Sequence, residues 1–453
     1  DSVGALNKQF NTPNMERLAR EGVKFTNAYV APVCTPTRTS ILTGMNVAHH
    51  GVTNWTSPIK NNNTDAADTQ FNAANWNING VAINSITTYP QLLKNAGYFT
   101  IHVGKAHWGS AGTPMSNPLH LGFMVNIAGH AAGHPQSYYG TDNYGNIPGK
   151  ASYQAVPDLS NYHGSETNLT EALTLEAIQS LETPIQNHQP FYLNMAHYAV
   201  HVPLQQDARF YNAYLQKGLD TPSAKYASMV EAMDKSLGDI MQFLVSKKVA
   251  DNTIVIFLSD NGGLSLSGAR GNIEHIQNLP LRAGKGSVYE GGIRVPMIVK
   301  WPHVTKSNSI NNQYVIAEDV FPSILEMAGI TDARTIQKVD GKSFVPFLKD
   351  EKIKDTQRIL VWHYPNKWIA SDGPGINYKS AIRKGNWKLV YDLRSAKKEL
   401  YNLNTDIGEH ADLAKAFPMI AKQLTIELKK YLERNNAPMP TFKNGGSVVI
   451  TNN

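Results

Sequence analysis

A single cysteine, Cys34, occurs among the 453 residues of this chain. One cysteine cannot form a disulfide within the chain, and a structural thiolate metal site needs several cysteines or nearby histidines. The fold must therefore rest on a buried apolar core, which a chain of this length can form. Cys34 lies two residues before Pro36 and four before Arg38. Because a free cysteine is often only a small buried hydrophobic residue, motifs elsewhere in the chain decide its meaning.

The composition is typical of a soluble globular protein, with 42% hydrophobic and 17% charged residues. No apolar run is long enough to span a bilayer, and no secretory leader opens the chain. The net charge of +6 favours anionic partners. Because the lysines and arginines are dispersed rather than clustered, we expect a polyanion other than nucleic acid.

Short β-rich runs alternate with helical patterns along most of the chain. Residues 254–258 are continuously apolar, as expected for a strand covered on both faces. Residues 12–22, 228–248 and 316–328 have helical patterns, the first with Thr12 as its N-cap. This alternation predicts an α/β fold around a mostly parallel sheet, which we assign to residues 1–348. The other predicted strands are residues 98–103, 191–195 and 297–300.

The pattern changes near residue 349. Residues 381–391 predict a hairpin that turns at Gly385 and Asn386, and residues 418–434 predict an amphipathic helix. We therefore predict a smaller C-terminal α+β subdomain at residues 349–453. Polar insertions rich in glycine and asparagine, at residues 61–79 and 130–161, are predicted to be long loops over the functional site.

Four further polar clusters are candidates for chemistry, and three follow predicted strands, where ligands bind in open α/β sheets. Each has an ordinary explanation when taken alone. Asp260 and Asn261, for example, could form a simple Asx turn, although their oxygens also suit calcium or magnesium. The clusters are Gly104-Lys105-Ala106-His107, residues 197–203, Asp260-Asn261-Gly262-Gly263 and residues 284–296.

Together with Cys34-Thr35-Pro36-Thr37-Arg38, these clusters resemble the motifs of type I, formylglycine-dependent sulfatases, in the order of that family. The matching patterns are Cys-x-Pro-x-Arg, Gly-Lys-x-His, His-x-Pro, Asp-Asn-Gly-Gly and Lys-x4-Glu-Gly-Gly-x-Arg-x-Pro. The resemblance runs from residue 12 to about residue 300 and continues more loosely to residue 389. Residues 45–55 are most similar to the bacterial carbohydrate branch. The resemblance implies an alkaline-phosphatase-like fold, with a large mixed, mostly parallel sheet flanked by helices.

The resemblance also implies catalytic roles for the residues around Cys34. A maturing enzyme, either formylglycine-generating or anaerobic, would oxidise Cys34 to formylglycine, whose aldehyde hydrate attacks sulfur. The second hydroxyl then expels sulfate as the carbonyl re-forms. Arg38 and Lys105 would stabilise the hydrate, and His107 would take the proton that drives sulfate release.

Two further catalytic residues are implied at the substrate side. His201 and Lys285 would hold the sulfate and protonate the leaving oxygen. His197 is the competing candidate for the role of His201, because both lie in the same short segment.

The metal site implied by the resemblance uses Asp260, Asn261 and residue 34, with Ca2+ as the expected ion and Mg2+ as the alternative. The family's first strand ends in an Asp-Asp pair upstream of the first helix, whereas this chain opens with Asp1-Ser2-Val3-Gly4. That start could be a degenerate form of the pair, but its spacing to Thr12 is short. We expect the first strand and its aspartates to precede Asp1.

We expect the substrate to be a sulfated carbohydrate, most simply a galactose-based, carrageenan-like algal polysaccharide or its oligosaccharides. The expected location is periplasmic or secreted, with the leader removed. Aromatic residues that suit a sugar are Trp55, Trp76 and Trp108. The candidate sugar-binding residues are His134, Arg270, His275 and His363.

Two other functions stay open on the sequence. A formylglycine phosphonate or phosphate monoester hydrolase would share the fold and the metal, and relative turnover of aryl sulfate and aryl phosphate separates the two activities. A non-catalytic sulfated-glycan-binding protein is supported only by the absent aspartate pair.

Overall fold

The computed structural model describes residues 10–264 and 278–451. The helices within these ranges are α1 (Pro13–Glu21), α2 (Cys34–Thr43), α3 (Val47–His50), α4 (Tyr89–Asn95), α5 (Leu169–Gln186), α6 (Tyr211–Gln216), α7 (Thr221–Ser246), α8 (Glu290–Ile293), α9 (Val320–Met327), α10 (Val345–Lys349) and α11 (Pro418–Arg434). The strands are β1 (Val23–Tyr29), β2 (Phe71–Asn72), β3 (Phe99–Gly104), β4 (Val125–Ile127), β5 (Phe191–Ala196), β6 (Val255–Leu258), β7 (Arg294–Lys300), β8 (Ser309–Ile316), β9 (Ile359–Tyr364), β10 (Lys379–Lys384), β11 (Trp387–Asp392), β12 (Lys398–Asn402) and β13 (Thr441–Phe442).

Two sheets form the larger part of the molecule. In one, with strand order β6-β7-β1-β8, β7 is antiparallel to β1 and β6, whereas β8 is parallel to β1. The other, with order β4-β3-β5, is entirely parallel. The mixed α/β architecture predicted from the sequence is therefore confirmed.

Helices cover both faces of these sheets. Ile298 of β7 packs with Leu18 of α1 and Met241 of α7. Met297 and Val299 belong instead to the cluster that contains residues of α4 and α9, because successive strand side chains point to opposite faces. Among the described residues no helix is long and apolar enough to cross a membrane.

An apolar gap separates the two sheets. Among the described residues, β5 pairs only with β3 and β6 pairs only with β7, so each has one edge without a partner strand there. Both strands line one cavity of about 2440 Å³, to which they contribute side chains such as Leu193, Val255 and Phe257. The sequence predicts that β6 is covered on both faces, yet every residue of β6 is only half-buried. We call this space between β5 and β6 the gap.

The C-terminal sheet is antiparallel, with strand order β12-β11-β10-β9. Lys384 of β10 pairs with Trp387 of β11, so Gly385 and Asn386 form the two-residue turn. Gly385 has φ 55°, a left-handed conformation that glycine adopts readily. The predicted hairpin and the predicted helix at 418–434 are both confirmed, and α11 packs on this sheet through residues such as Leu428.

Other helix boundaries differ from the predictions. α1 follows Thr12, but the Thr12 side chain makes no capping hydrogen bond. α7 starts at Thr221 rather than near residue 228, because the Asp220 side chain accepts a hydrogen bond from Ser223 N and caps the helix. The predicted helix at 316–328 is a short 3-10 turn followed by α9.

The C-terminal sheet is joined to the sheet of β1 by buried aromatic contacts. Trp362 of β9 packs edge-on against Tyr29 of β1, with 5.2 Å between ring centroids. Its indole Nε1 donates to the backbone oxygen of Val30 at 3.0 Å. Since Val30 comes just before the segment that leads to Cys34, this C-terminal joint supports the start of α2 directly.

Candidate active site

Cys34 is the first residue of α2, and its side chain is buried, with 2% exposed. The turn before it is fixed by Thr37, whose hydroxyl accepts a hydrogen bond from Ala31 N at 2.9 Å. Pro36 fits the first turn of a helix, where its missing N–H removes no intrahelical bond. Cys34 therefore lies at the positive end of a ten-residue helix.

His107 lies beside Cys34. Its Nδ1 is 3.4 Å from the sulfur of Cys34, and its Nε2 is 2.9 Å from the backbone oxygen of Thr56. The backbone of His107 has φ 55°, a left-handed conformation that is uncommon for a residue other than glycine. Gly133 packs so closely on the imidazole that a Cβ there would overlap it. The ring is thus held on several sides.

Arg38, Lys105 and Asp260 form an ionic cluster next to Cys34. The Arg38 Nε donates to Asp260 Oδ2 at 2.8 Å, and its Nη1 donates to the backbone oxygen of Lys105 at 2.6 Å. The Lys105 ammonium is 3.8 Å from Asp260 Oδ2. The polar residues that follow β3 and β6 therefore lie at one place, as the sequence predicts for residues at strand ends.

Lys285 reaches the same place through backbone contacts. Its own N–H donates to the oxygen of Gly263 at 3.0 Å, and the N–H of Gly286 donates to Pro32 O at 2.8 Å. The loop that carries Lys285 is thus hydrogen-bonded both to the turn after β6 and to the segment before Cys34.

The electrostatics of this cluster are strongly positive. Burial raises the pKa of the Cys34 thiol, but Lys105, followed by His107 and Lys285, outweighs burial and holds that pKa well below its usual range. The pKa of Asp260 is also lowered, because Arg38, Lys105 and Lys285 outweigh the effect of burial. Burial lowers the pKa of Lys105. A cavity with this charge suits a tetrahedral oxyanion such as sulfate.

His134 and His201 stack on each other at the cavity wall, with 5.5 Å between ring centroids and 11° between planes. Burial, followed by the charges of Lys285 and Lys105, keeps the pKa of His201 well below 6.5. His197 lines the same cavity, but burial alone lowers its pKa, to about 4. Lys285 and Lys105 therefore affect the pKa of His201, whereas burial accounts for the lowered pKa of His197.

Some residues predicted to bind sugar lie elsewhere. His363 is buried in the C-terminal sheet, where Nδ1 is 2.8 Å from Ser380 Oγ and Nε2 is 2.6 Å from Pro438 O. Because both ring nitrogens are used there, the predicted substrate contact of His363 is wrong. Arg270 and His275 lie outside the described residues.

The tryptophans also separate into two groups. Trp76 is buried in the core, so its predicted contact with a sugar is wrong. Trp108 is also buried in the core but borders the cavity, and its contact with a sugar stays a prediction. Trp55 is half-buried and lines the cavity. Sequence reasoning missed Trp368, whose ring lies on Gly286, where a Cβ would overlap it. Only the chain path from β9 to β10 places Trp368 there, and no local motif indicates it.

The site offers donor atoms that suit a divalent cation, but only a few of them. The Oδ1 of Asn261 is buried and has no hydrogen-bond partner within residues 10–264 and 278–451, because the amide Nδ2 faces the backbone oxygen of Gly262 at 2.9 Å. Asp260 supplies a carboxylate beside it. Among the described residues no group of three or more His, Cys, Asp or Glu could hold a metal. The donor type fits Ca2+, whereas the number is below the six to eight oxygens that Ca2+ takes.

Comparison with known proteins adds the following matches. The family model described as Sulfatase matches residues 1–330, and the model described as N-sulphoglucosamine sulphohydrolase, C-terminal, matches residues 284–437. The chain is 30% identical to a sulfatase of Formosa agariphila over 96% of its own length and 86% of that protein. It is 31% identical to human N-acetylgalactosamine-6-sulfatase over 76% of its own length and 62% of that protein.

Solved structures agree with these matches. The crystal structure of Ps i-CgsB superposes with a TM-score of 0.75 and 26% identity, over 95% of this chain and 89% of that one. The same protein in complex with k-i-k-neocarrahexaose gives a TM-score of 0.73.

Proposed function

Since this chain belongs to the sulfatase family and is a sulfuric ester hydrolase, we propose that it removes sulfate from a galactose-based carbohydrate, with formylglycine at position 34. The single observation that carries the proposal is the position of His107, 3.4 Å from the Cys34 sulfur, beside the cluster in which Arg38 and Lys105 lie against Asp260. The thiol contacts of Cys34 stand in for those of the oxidised residue.

Formylglycine, once formed, supplies the nucleophilic oxygen of an aldehyde hydrate. The residues around it then neutralise and move charge. Lys105 is buried and stabilises negative charge at position 34. Arg38 acts from a fixed position, because both of its donor contacts are made to Asp260 and the backbone of Lys105. His107 is within reach of the side chain at position 34 and accepts its proton.

We assign the sulfate and the leaving group to Lys285 and His201. His201 Nδ1 lies 3.2 Å from Val202 O, an acceptor that keeps a proton on Nδ1. Bound sulfate ester is negative and raises the pKa of the adjacent imidazole, which allows Nε2 to carry a proton to the leaving oxygen. His134, stacked on His201, lies where it can contact the sugar.

Asp260 and Asn261 would hold the divalent cation, which when bound polarises a sulfate oxygen. Asp260 follows β6, one of the two strands that border the gap. Among the described residues, neither β5 nor β6 has a partner strand on the side that faces the gap. Phe10, which leads into α1, also lines this cavity.

Two of the matched proteins support the choice of substrate. One relative is an N-acetylgalactosamine-6-sulfatase, and one structural neighbour holds k-i-k-neocarrahexaose. Both indicate galactose-type sugars, so carrageenan-like oligosaccharides are the first substrates to assay. We further propose that the protein acts in the periplasm or is secreted, and that a maturing enzyme oxidises Cys34.

The decisive experiment combines mass spectrometry with an assay of sulfate release. Peptide mapping after co-expression with a maturing enzyme should give a loss of about 18 Da at Cys34, as the thiol becomes an aldehyde. The matured protein should release sulfate from neocarra-oligosaccharides and prefer aryl sulfate to aryl phosphate. Faster turnover of aryl phosphate would favour the phosphonate or phosphate hydrolase. A matured protein that binds the oligosaccharide but releases no sulfate would favour the binding protein.

A further inference from the structure

A buried ionic cluster connects the C-terminal sheet to the loop that carries Lys285. The ammonium of Lys388, on β11, lies 2.8 Å from Glu290 Oε1 and 2.8 Å from Glu409 Oε1. All three side chains are fully buried, with 0% exposed. Three charged groups are therefore enclosed together at the joint between two parts of the molecule.

Glu290 is held at several other points. Its Oε2 accepts a hydrogen bond from the Tyr29 hydroxyl at 2.7 Å and lies 3.3 Å from Arg294 Nη1. Its backbone N–H donates to Glu409 Oε2 at 2.7 Å. Burial raises the pKa of Glu290, but the charges of Lys388, Arg383 and Arg294 outweigh it and bring that pKa to about 2. Glu290 is thus an anion fixed by its main chain and its side chain.

The short helix that begins at Glu290 packs against two parts of the active site. Gly292 O accepts from Gly262 N at 2.9 Å, within the turn after Asp260 and Asn261. Gly291 N donates to Arg282 O at 2.8 Å, in the loop that leads to Lys285. A Cβ on Gly291 would overlap the backbone oxygens of Arg282 and Ala283. The backbone at Glu290 therefore cannot move without moving both turns.

We propose that Lys388 is a positioning residue, which holds Glu290 so that Lys285 and the Asp260-Asn261 turn keep their places around position 34. A buried ion pair is weak evidence for stability, because desolvation offsets its attraction, and apolar residues of similar volume often replace it at no cost. Positioning is the role that best accounts for the pair of Lys388 and Glu290. Glu290 begins the short helix that is hydrogen-bonded both to the turn after Asp260 and Asn261 and to the loop that carries Lys285. The inference rests on the proposed function, because it assigns Lys285 to sulfate.

The test compares Lys388→Met with Lys384→Met. Lys384 lies on the neighbouring strand of the same subdomain and pairs at 2.9 Å with Glu427 of α11, rather than with Glu290. Inorganic sulfate is titrated calorimetrically into wild type and both variants, and kcat/KM is measured on an aryl sulfate. We expect Lys388→Met to weaken sulfate binding and lower kcat/KM by about 10- to 100-fold, the scale of a small misplacement of catalytic groups. Lys384→Met should change neither value.

A second variant covers the case in which Lys388→Met does not fold. Glu409→Gln keeps the size of the side chain and an acceptor for Glu290 N, but removes one charge from the Lys388 pair. Glu409→Gln should also weaken sulfate binding, but less than Lys388→Met does. The inference is overturned if folded Lys388→Met protein has wild-type sulfate affinity and only a lowered melting temperature, because the cluster would then be merely structural. If Lys388→Met does not fold, the same result for folded Glu409→Gln protein overturns it.

The two proposals fail in different ways. Wild-type protein that neither binds sulfate nor cleaves aryl sulfate contradicts the proposed function, and the inference that rests on it. Active wild-type protein with unaffected variants contradicts only the role of Lys388.

Discussion

The active site lies between two regions that differ in packing. On one side, the C-terminal joint encloses Lys388, Glu290 and Trp362, and their polar atoms are paired. On the other side, β5 and β6 each have one edge that no described strand pairs with, and most of their side chains are half-buried. The difference teaches that Lys285 is fixed from the C-terminal side, whereas Lys105, His201 and Asp260 depend on segments that border the gap.

The largest expected effect is at position 34, between the two regions. Cys34→Ala should abolish sulfate release, because no aldehyde can form, whereas Cys34→Ser should keep the fold and still bind substrate. Sulfate release by the matured proteins and circular dichroism check this. Near-native turnover by Cys34→Ala would refute the mechanism.

The next largest effect is expected at two lysines, one beside the gap and one on the C-terminal side. Lys105 is bound through its backbone N–H to Ala196 of β5, at the gap, and Lys285 belongs to the C-terminal side. Changing either to Met should lower kcat/KM by about 10²- to 10³-fold, the usual cost of one charge-stabilising group. Lys285→Met should act mainly through KM and Lys105→Met mainly through kcat. Lys300→Met is the control, because Lys300 pairs with Glu21 on α1.

If the two lysine variants gave the same split between kcat and KM, the assignment of Lys285 to sulfate and Lys105 to position 34 would be wrong. A large effect of Lys300→Met would point to general destabilisation instead.

A third comparison concerns stability. Leu389 is fully buried in the C-terminal sheet, whereas Leu193 is half-buried at the gap. Leu389→Ala should lower the free energy of unfolding by about 2–5 kcal/mol, the range for a buried leucine. Leu193→Ala should lower it by less, because fewer contacts are lost. Denaturant titration measures both, and equal costs would mean that the gap is filled in the folded protein.

The smallest expected effect is on the pH dependence of stability. Burial, assisted by Asp319, raises the pKa of Glu318 to about 8. The folded state then keeps a proton that the unfolded state releases near its ordinary value of 4.5, so the free energy of unfolding decreases as the pH rises from about 4.5 to about 8. Glu318→Gln should flatten part of this decrease in thermal unfolding series.

Only part of the slope should disappear in that variant, because burial also raises the pKa of Asp65 to about 6 and of Glu409 to about 7. An unchanged slope would show that Glu318 is ionised in the folded protein.

Local patterns made several features predictable. The helix at 418–434 follows from its apolar period, and the hairpin follows from a glycine at a turn between two β-rich runs. The convergence of Lys105 and Asp260 agrees with their positions just after strands, where ligands bind in open α/β folds, although β3 and β6 belong to different sheets. These predictions use information within a few residues or a general rule of sheet topology.

Long-range contacts were not predictable in this way. His363 sits beside three aromatic or proline neighbours in the sequence, which suggested a binding site, yet the C-terminal sheet buries it against Ser380 and Pro438. Trp108 follows His107 directly, but its indole donates to the backbone of Arg38 inside the core. No periodicity distinguishes a buried polar contact from an exposed one.

The sequence by itself determined the family, the residue types of the site and their order, because each motif is local and its chemistry depends on identity and spacing. The tertiary structure alone decided that His201 stacks on His134, that Trp368 covers Gly286, and that Lys388 reaches Glu290 across 98 residues. Those contacts depend on how separate elements pack and exclude water, and packing between distant segments leaves no local signal in the chain.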